Sequence, residues 1–151
     1  MSKVTEIFDY FISVAGTHFS TYERLPNPYI IEENNKLALE EGYAVSYGPG
    51  FNEDISISKE EDSVTRDFIV TQVIEISASR NNVELIEEVE KKIMDERQAF
   101  KDAIDDDPSL GCIANRTQFV SDDGLEFLSG EETDAKYYRL TSTFEVNYFD
   151  V

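Results

Sequence analysis

The chain has no tryptophan, one cysteine and one histidine among 151 residues. One cysteine, Cys112, rules out an intramolecular disulfide, and its expected role is that of a small buried apolar residue. A catalytic thiolate needs a neighbouring base, and the only histidine, His18, follows an N-terminal helical pattern that makes it structural. Long apolar runs are missing, and none approaches the roughly 20 residues of a membrane span. Nothing resembling a signal peptide opens the chain, because acids interrupt the apolar pattern after Met1-Ser2-Lys3. The expectation is a soluble protein made in the cytoplasm, where the Asn115-Arg116-Thr117 triplet carries no glycan. Bases are also scarce. Thirteen Lys and Arg face 32 Asp and Glu, a net charge of −19. That surface repels phosphates and excludes duplex binding through the nucleic-acid backbone.

What is present argues for a folded domain. Apolar residues make up 40% and aromatics 12%, including ten Phe and eight Tyr. A chain of this size buries roughly 68–70% of its unfolded surface and needs no disulfide or metal for stability. One domain over 1–151 is expected, with no internal repeat and no low-complexity segment.

The central stretch is Arg66 to Asp105. A run rich in β-branched residues, 66–77, leads through the polar break Ser79-Arg80-Asn81-Asn82 into a helical pattern. The strand places Phe68, Val70, Ile74 and Ile76 on one face, and Ile69, Thr71, Val73 and Glu75 on the other. The helix stripe is Ile86, Val89, Ile93, Phe100 and Ile104, flanked by Leu85 and Met94. Asn81 or Asn82 caps it, over about 23 residues or roughly 35 Å. Asp105-Asp106-Asp107-Pro108 ends it.

Around this unit the pattern predicts a first helix over 4–15, capped by Ser2 and stopped by Gly16. The Pro26 and Pro28 stretch is irregular. A short helix over 31–41, a strand from Tyr43 to Tyr47 and a turn at Gly48-Pro49-Gly50 come next. Residues 51–65 read as a charged loop or hairpin tip, with Ile55 and Ile57 in a short strand. A strand from Cys112 to Val120 is expected to turn at Ser121-Asp122-Asp123-Gly124 and pair back through Leu125 to Leu128. After a loop over 129–134, the last strand puts Tyr138, Leu140, Ser142, Phe144, Val146 and Tyr148 on one face. The fold class is α+β: a mostly antiparallel β-sheet with an N-terminal helix and one long helix packed on one face.

Catalytic chemistry finds little support. Three adjacent acids, Asp105 to Asp107, cannot all reach one ion from regular backbone. Ser121 to Gly124 lacks the bidentate Glu of a calcium loop, and Gly48-Pro49-Gly50 is too short for a phosphate cradle and has no lysine. Neither an enzyme nor a bound cofactor or metal is expected. Arg66, Arg80, Arg97, Arg116 and Arg139 are expected in ion pairs, within the fold or across a subunit boundary.

Several landmarks recur in a recognisable order: Leu25-Pro26-Asn27-Pro28-Tyr29, Gly42-Tyr43-Ala44-Val45, Gly48-Pro49-Gly50-Phe51-Asn52, and Arg66-Asp67-Phe68-Ile69-Val70-Thr71. With the long helix and tyrosine-rich final strand, this resembles the tail terminator (tail completion) proteins of long-tailed bacteriophages. The resemblance runs over roughly residues 4–149 and rests on turns and patterned strands. It implies a small α+β virion subunit that forms a homo-hexameric ring. The ring caps the tail tube, contacts the tail tube protein and joins it to the head-side connector protein. Duplex DNA passes through without specific binding, and no membrane is involved. It transfers no catalytic residue or cofactor. Candidate interaction residues lie in two acidic loops: Phe51, Glu53, Asp54, Lys59, Glu60, Glu61 and Asp62 in the first, Glu131, Glu132 and Asp134 in the second. Competing readings are another head-tail connector or tail-tube subunit, an acidic DNA-mimic inhibitor, and an enzyme or small-molecule binding domain.

Overall fold

A computed structural model describes residues 2–19, 23–24, 32–33, 36–37, 42–54, 63–76, 83–129 and 136–149. Among these residues two helices, α1 (Lys3–His18) and α2 (Val83–Asp106), accompany seven strands. Three strands have two residues each: β1 (Glu23–Arg24), β2 (Glu32–Glu33) and β3 (Lys36–Leu37). Four are long: β4 (Gly42–Asp54), β5 (Ser63–Ile76), β6 (Arg116–Ser129) and β7 (Lys136–Phe149). The main sheet has the order β1-β4-β5-β7-β6; its four long strands pair antiparallel with one another, and the short β1 pairs with β4 in parallel. The fold is α+β with mostly antiparallel sheet, as the patterning predicts.

Period 3.6 and period 2 meet at one core. In α1, Ile7, Phe11 and Ala15 recur every four residues and are all buried. Ser2 caps this helix, its Oγ accepting from the Thr5 N–H at 3.4 Å. In α2 the buried stripe is Ile93, Phe100 and Ile104, with Ile86 and Val89 partly buried against it. Both helices cover the sheet face formed by Tyr43 and Val45 of β4, Phe68 and Val70 of β5, and Tyr138, Leu140, Phe144, Val146 and Tyr148 of β7. Five rings lock the layers together. Phe11 stacks on Phe68 at 5.3 Å, and Phe144 meets Phe11, Phe100 and Phe119 at 5.6, 5.3 and 5.5 Å. Each such pair adds about 0.5–1.5 kcal/mol beyond simple burial. Within this apolar layer Gln72 is satisfied by donating from Nε2 to the Ile93 carbonyl at 3.2 Å.

Several expectations are corrected. The first helix runs through Gly16 to His18, because a residue without a side chain admits the Tyr43 hydroxyl, which would lie 3.3 Å from any Cβ there. A helix over 31–41 is excluded, since Glu32 pairs with Leu37 and Glu33 with Lys36 in an antiparallel ladder. Gly48-Pro49-Gly50 lies within β4, where the register against β5 shifts between Tyr47 and Phe51. A proline without an N–H is accommodated where the ladder is already broken. Gly48 is required there by close approach, since a Cβ would come within 2.7 Å of Asp67 Cβ.

The expected turn at Ser121 to Gly124 is likewise a bulge. Residues 116–129 form one strand that pairs with β7 throughout and never folds back on itself. Its register shifts between Phe119 and Ser121 and again between Asp122 and Leu125. Gly124 supplies the left-handed φ of +79° that the second shift uses. Cys112 precedes this strand in a turn and is exposed, so it is no core residue. Leu110, Gly111 and Cys112 are consecutive left-handed residues, with φ of 51°, 68° and 71°. Burial of the Leu110 side chain and hydrogen bonds to Asp107 hold this unusual turn.

Candidate interaction surface

The two acidic loops start from opposite ends of the sheet. At one end Asp54 pairs with Ser63, and 55–62 joins β4 to β5. At the other end Ser129 pairs with Lys136, and 130–135 joins β6 to β7. Ser63 and Ile76 mark those two ends on β5, since they pair with Phe149 and Lys136. Thirteen residue steps at about 3.3 Å separate the ends by roughly 40 Å. The candidate residues therefore do not form one site.

Phe51, Glu53 and Asp54, expected in a loop, belong to β4 and pair with Arg66, Val64 and Ser63. The strand continues past the bulge because β5 still offers partners there. Lys59, Glu60, Glu61 and Asp62 lie outside the described residues, as do Glu131, Glu132 and Asp134. The proposed strand at Ile55 and Ile57, the prolines at 26 and 28, Arg80 and the cap at Asn81 or Asn82 also lie outside them.

Acid is displayed outward along α2. Glu87, Glu88, Asp95, Asp102, Asp105 and Asp106 are all exposed. Cations on the same helix are partly engaged. Lys101 pairs with Asp105 at 2.8 Å, and Arg97 reaches Asp122 on β6 at 3.6 Å. Both cations also lie over the Phe119 ring, at 5.6 Å for Arg97 and 5.5 Å for Lys101. Arg139 pairs with Glu126 across β7 and β6 at 3.1 Å, and Arg66 donates to the Tyr148 hydroxyl at 3.4 Å. Arg116, at the start of β6, is exposed. Arg97 and Arg139 thus hold intramolecular ion pairs of the expected kind.

Two tyrosine–carboxylate pairs brace the helices. Tyr138 Oη donates to Glu90 Oε1 at 2.6 Å, and its pKa is pushed up to about 12, first by burial and then by that bond. Tyr10 Oη donates to Asp107 Oδ2 at 3.0 Å. Asp107 also accepts from the Gly111 N–H and the Ser109 hydroxyl, at 2.8 and 3.1 Å. These bonds, Tyr10 first, hold its carboxyl below the ordinary value, while burial and Asp107 raise Tyr10. Each is a satisfied structural pair. Among the described residues, no three of His, Cys, Asp and Glu come together as a metal-binding set. None of the described helices is long and apolar enough to cross a membrane.

The feature that sequence reasoning missed is the sheet margin. Among the described residues β6 is an outermost strand along its full length, whereas β4 pairs with β1 at Gly42 and Tyr43 and stays buried through Ser46. Val120 and Phe127, both on β6, are 51% and 53% exposed. No protein-family model matches the chain, and no curated protein matches it.

Proposed function

We propose that this chain is a structural virion subunit that forms a ring at the head-proximal end of a long-tailed phage tail. On this reading the ring is homo-hexameric, closes the tail tube and joins it to the head-side connector. DNA passes through its acidic channel. The observation that carries the reading is the placement of the two acidic connections at opposite ends of a long sheet. A terminating ring needs one set of contacts below, toward the tube, and another above, toward the connector. A subunit with distinct segments at its two ends supplies both. The net charge of −19 and the exposed acids of α2 support it further. Such a surface displaces no counterions from phosphate, so duplex passes instead of adhering.

Electron microscopy of the purified protein and of assembled particles tests this directly. The expected image is a six-fold ring with a pore that admits duplex DNA, seated between tube and connector. A ring found elsewhere in the particle moves the protein to another connector or tube position. A lone monomer with an enclosed polar pocket, absent from particles, overturns the reading.

A further inference from the structure

Strand β6 is open along its outer side. Gln118, Val120, Ser121, Asp123, Gly124 and Phe127 are all exposed, and among the described residues no strand lies beyond it. A long outermost strand with exposed apolar residues ordinarily invites a second copy to pair with it. The register of β6 works against that. Its fourteen residues, Arg116 to Ser129, span only the twelve of β7 from Lys136 to Asn147. Each of its two register shifts therefore holds one extra residue. In the first, Phe119 pairs with Phe144 and Ser121 with Thr143, which leaves Val120 over. In the second, Asp122 pairs with Ser142 and Leu125 with Leu140, so Asp123 and Gly124 share the place opposite Thr141. On its other side β7 pairs with β5 without any shift, so β7 itself stays regular and the irregularity belongs to β6.

An incoming strand would meet regular backbone over four residues, 116–119, or over five, 125–129, and lose register between them. Charge reinforces the break. Asp123 is exposed at the second bulge, and Asp122 turns to the helix side, where Arg97 Nε lies 3.6 Å away. The centre of β6 falls between these two residues. A second β6 laid antiparallel about a two-fold axis would bring four carboxylates together there, and like charges in opposition destabilise strand pairs. We infer that the two bulges, with the acids between them, bar β6 from pairing with a second copy and so keep free subunits from joining strand to strand. This stands apart from the ring reading. Within that reading, it directs the contacts between copies to surfaces other than the β6 edge.

A variant that lacks Val120 and Asp123 and carries Gly124→Thr tests this. Twelve residues of β6 then face twelve of β7, and the glycine with its left-handed φ of +79° is gone. Val120 and Asp123 are exposed, so their removal takes nothing from the core. Analytical ultracentrifugation is expected to show the variant self-associating roughly tenfold or more tightly than wild type. Hydrogen exchange is expected to show new protection of the β6 amides that point away from β7. In wild type those amides should exchange freely at every concentration, in the ring as in the free subunit. A variant with wild-type secondary structure that associates no more than wild type overturns the inference. If the variant does not fold, exchange in wild type decides. Free exchange up to the highest attainable concentration upholds the inference. Protection of the same amides in a wild-type assembly makes β6 an interface, which overturns the inference and leaves the ring reading standing.

Discussion

Tyr10 and Asp107 lie 97 positions apart in the chain, and their side chains meet at 3.0 Å. The bond ties the first helix to the residue that follows the last turn of the second. The same carboxylate organises the turn over 109–111 through Ser109 and Gly111. One acid therefore couples helix packing to the approach into β6.

Asp107 carries a pH signature. Its lowered pKa means the native state binds that proton less tightly than the unfolded chain does. Its contribution is complete above the ordinary value of 3.8 and is lost as pH falls through the lower native value. Asp107→Asn is expected to lower Tm at neutral pH. The gap from wild type should close progressively below pH 3.8, and a gap independent of pH would show that the charge plays no part.

Tyr138 gives the opposite window. Burial and the bond to Glu90 raise its pKa from 10.0 to about 12, so the native state holds the proton longer than the unfolded chain. The contribution is complete below pH 10.0 and is lost as pH rises through about 12. Thermal melts of wild type and Tyr138→Phe should differ by a constant amount below pH 10.0 and converge as pH rises from there through about 12.

The ring cluster predicts the most costly single truncation. Phe144 is fully buried and touches three other phenylalanines. Phe144→Ala is expected to cost about 3–5 kcal/mol, through lost transfer energy and an unfilled cavity. Urea denaturation measures it. A loss below about 1 kcal/mol would mean the helices collapse into the gap without needing the ring.

Two glycines separate crowding from backbone strain. Gly48→Ala forces a Cβ to within 2.7 Å of Asp67 Cβ and is expected to cost about 1–3 kcal/mol. At Gly124 a Cβ meets nothing within 4 Å, but φ is +79°. Gly124→Ala should cost about 1–2 kcal/mol from conformation alone, and Gly124→Asn less, because asparagine tolerates left-handed backbone. Equal losses for alanine and asparagine at 124 would contradict a conformational origin.

Charge predicts the behaviour toward DNA. The folded protein is expected to show no measurable duplex affinity even at low salt, where electrostatic binding is strongest. A shifted duplex band at 10–20 mM salt, roughly the regime of weakest screening, would contradict a channel that lets DNA slide.

Both helices and the final strand were legible in the sequence because their periods are long and regular. Every residue assigned to the core face of β7, from Tyr138 to Tyr148, is buried. The misreadings share a cause. Gly48-Pro49-Gly50 and Asp122-Asp123-Gly124 contain the residues that make turns, and bulges use the same residues for the same backbone reasons. Only the partner strand decides between them, and that information is not local. Cys112 was assigned to the core by residue type, yet it follows Gly111 in a turn whose geometry comes from Asp107. Among the candidate residues, Phe51, Glu53 and Asp54 were placed in a loop but belong to β4. The sheet margins were invisible because an edge is defined by what lies beside a strand, not by its own residues.

The left-handed turn that carries Cys112 has a practical side. It exposes the chain's one thiol between α2 and β6, on backbone tied down at Asp107 and Leu110. A single maleimide dye or spin label on unaltered protein will therefore report from one defined position per subunit. Its spacing from copy to copy turns the order and diameter of any assembly into a distance that a spectrometer can read.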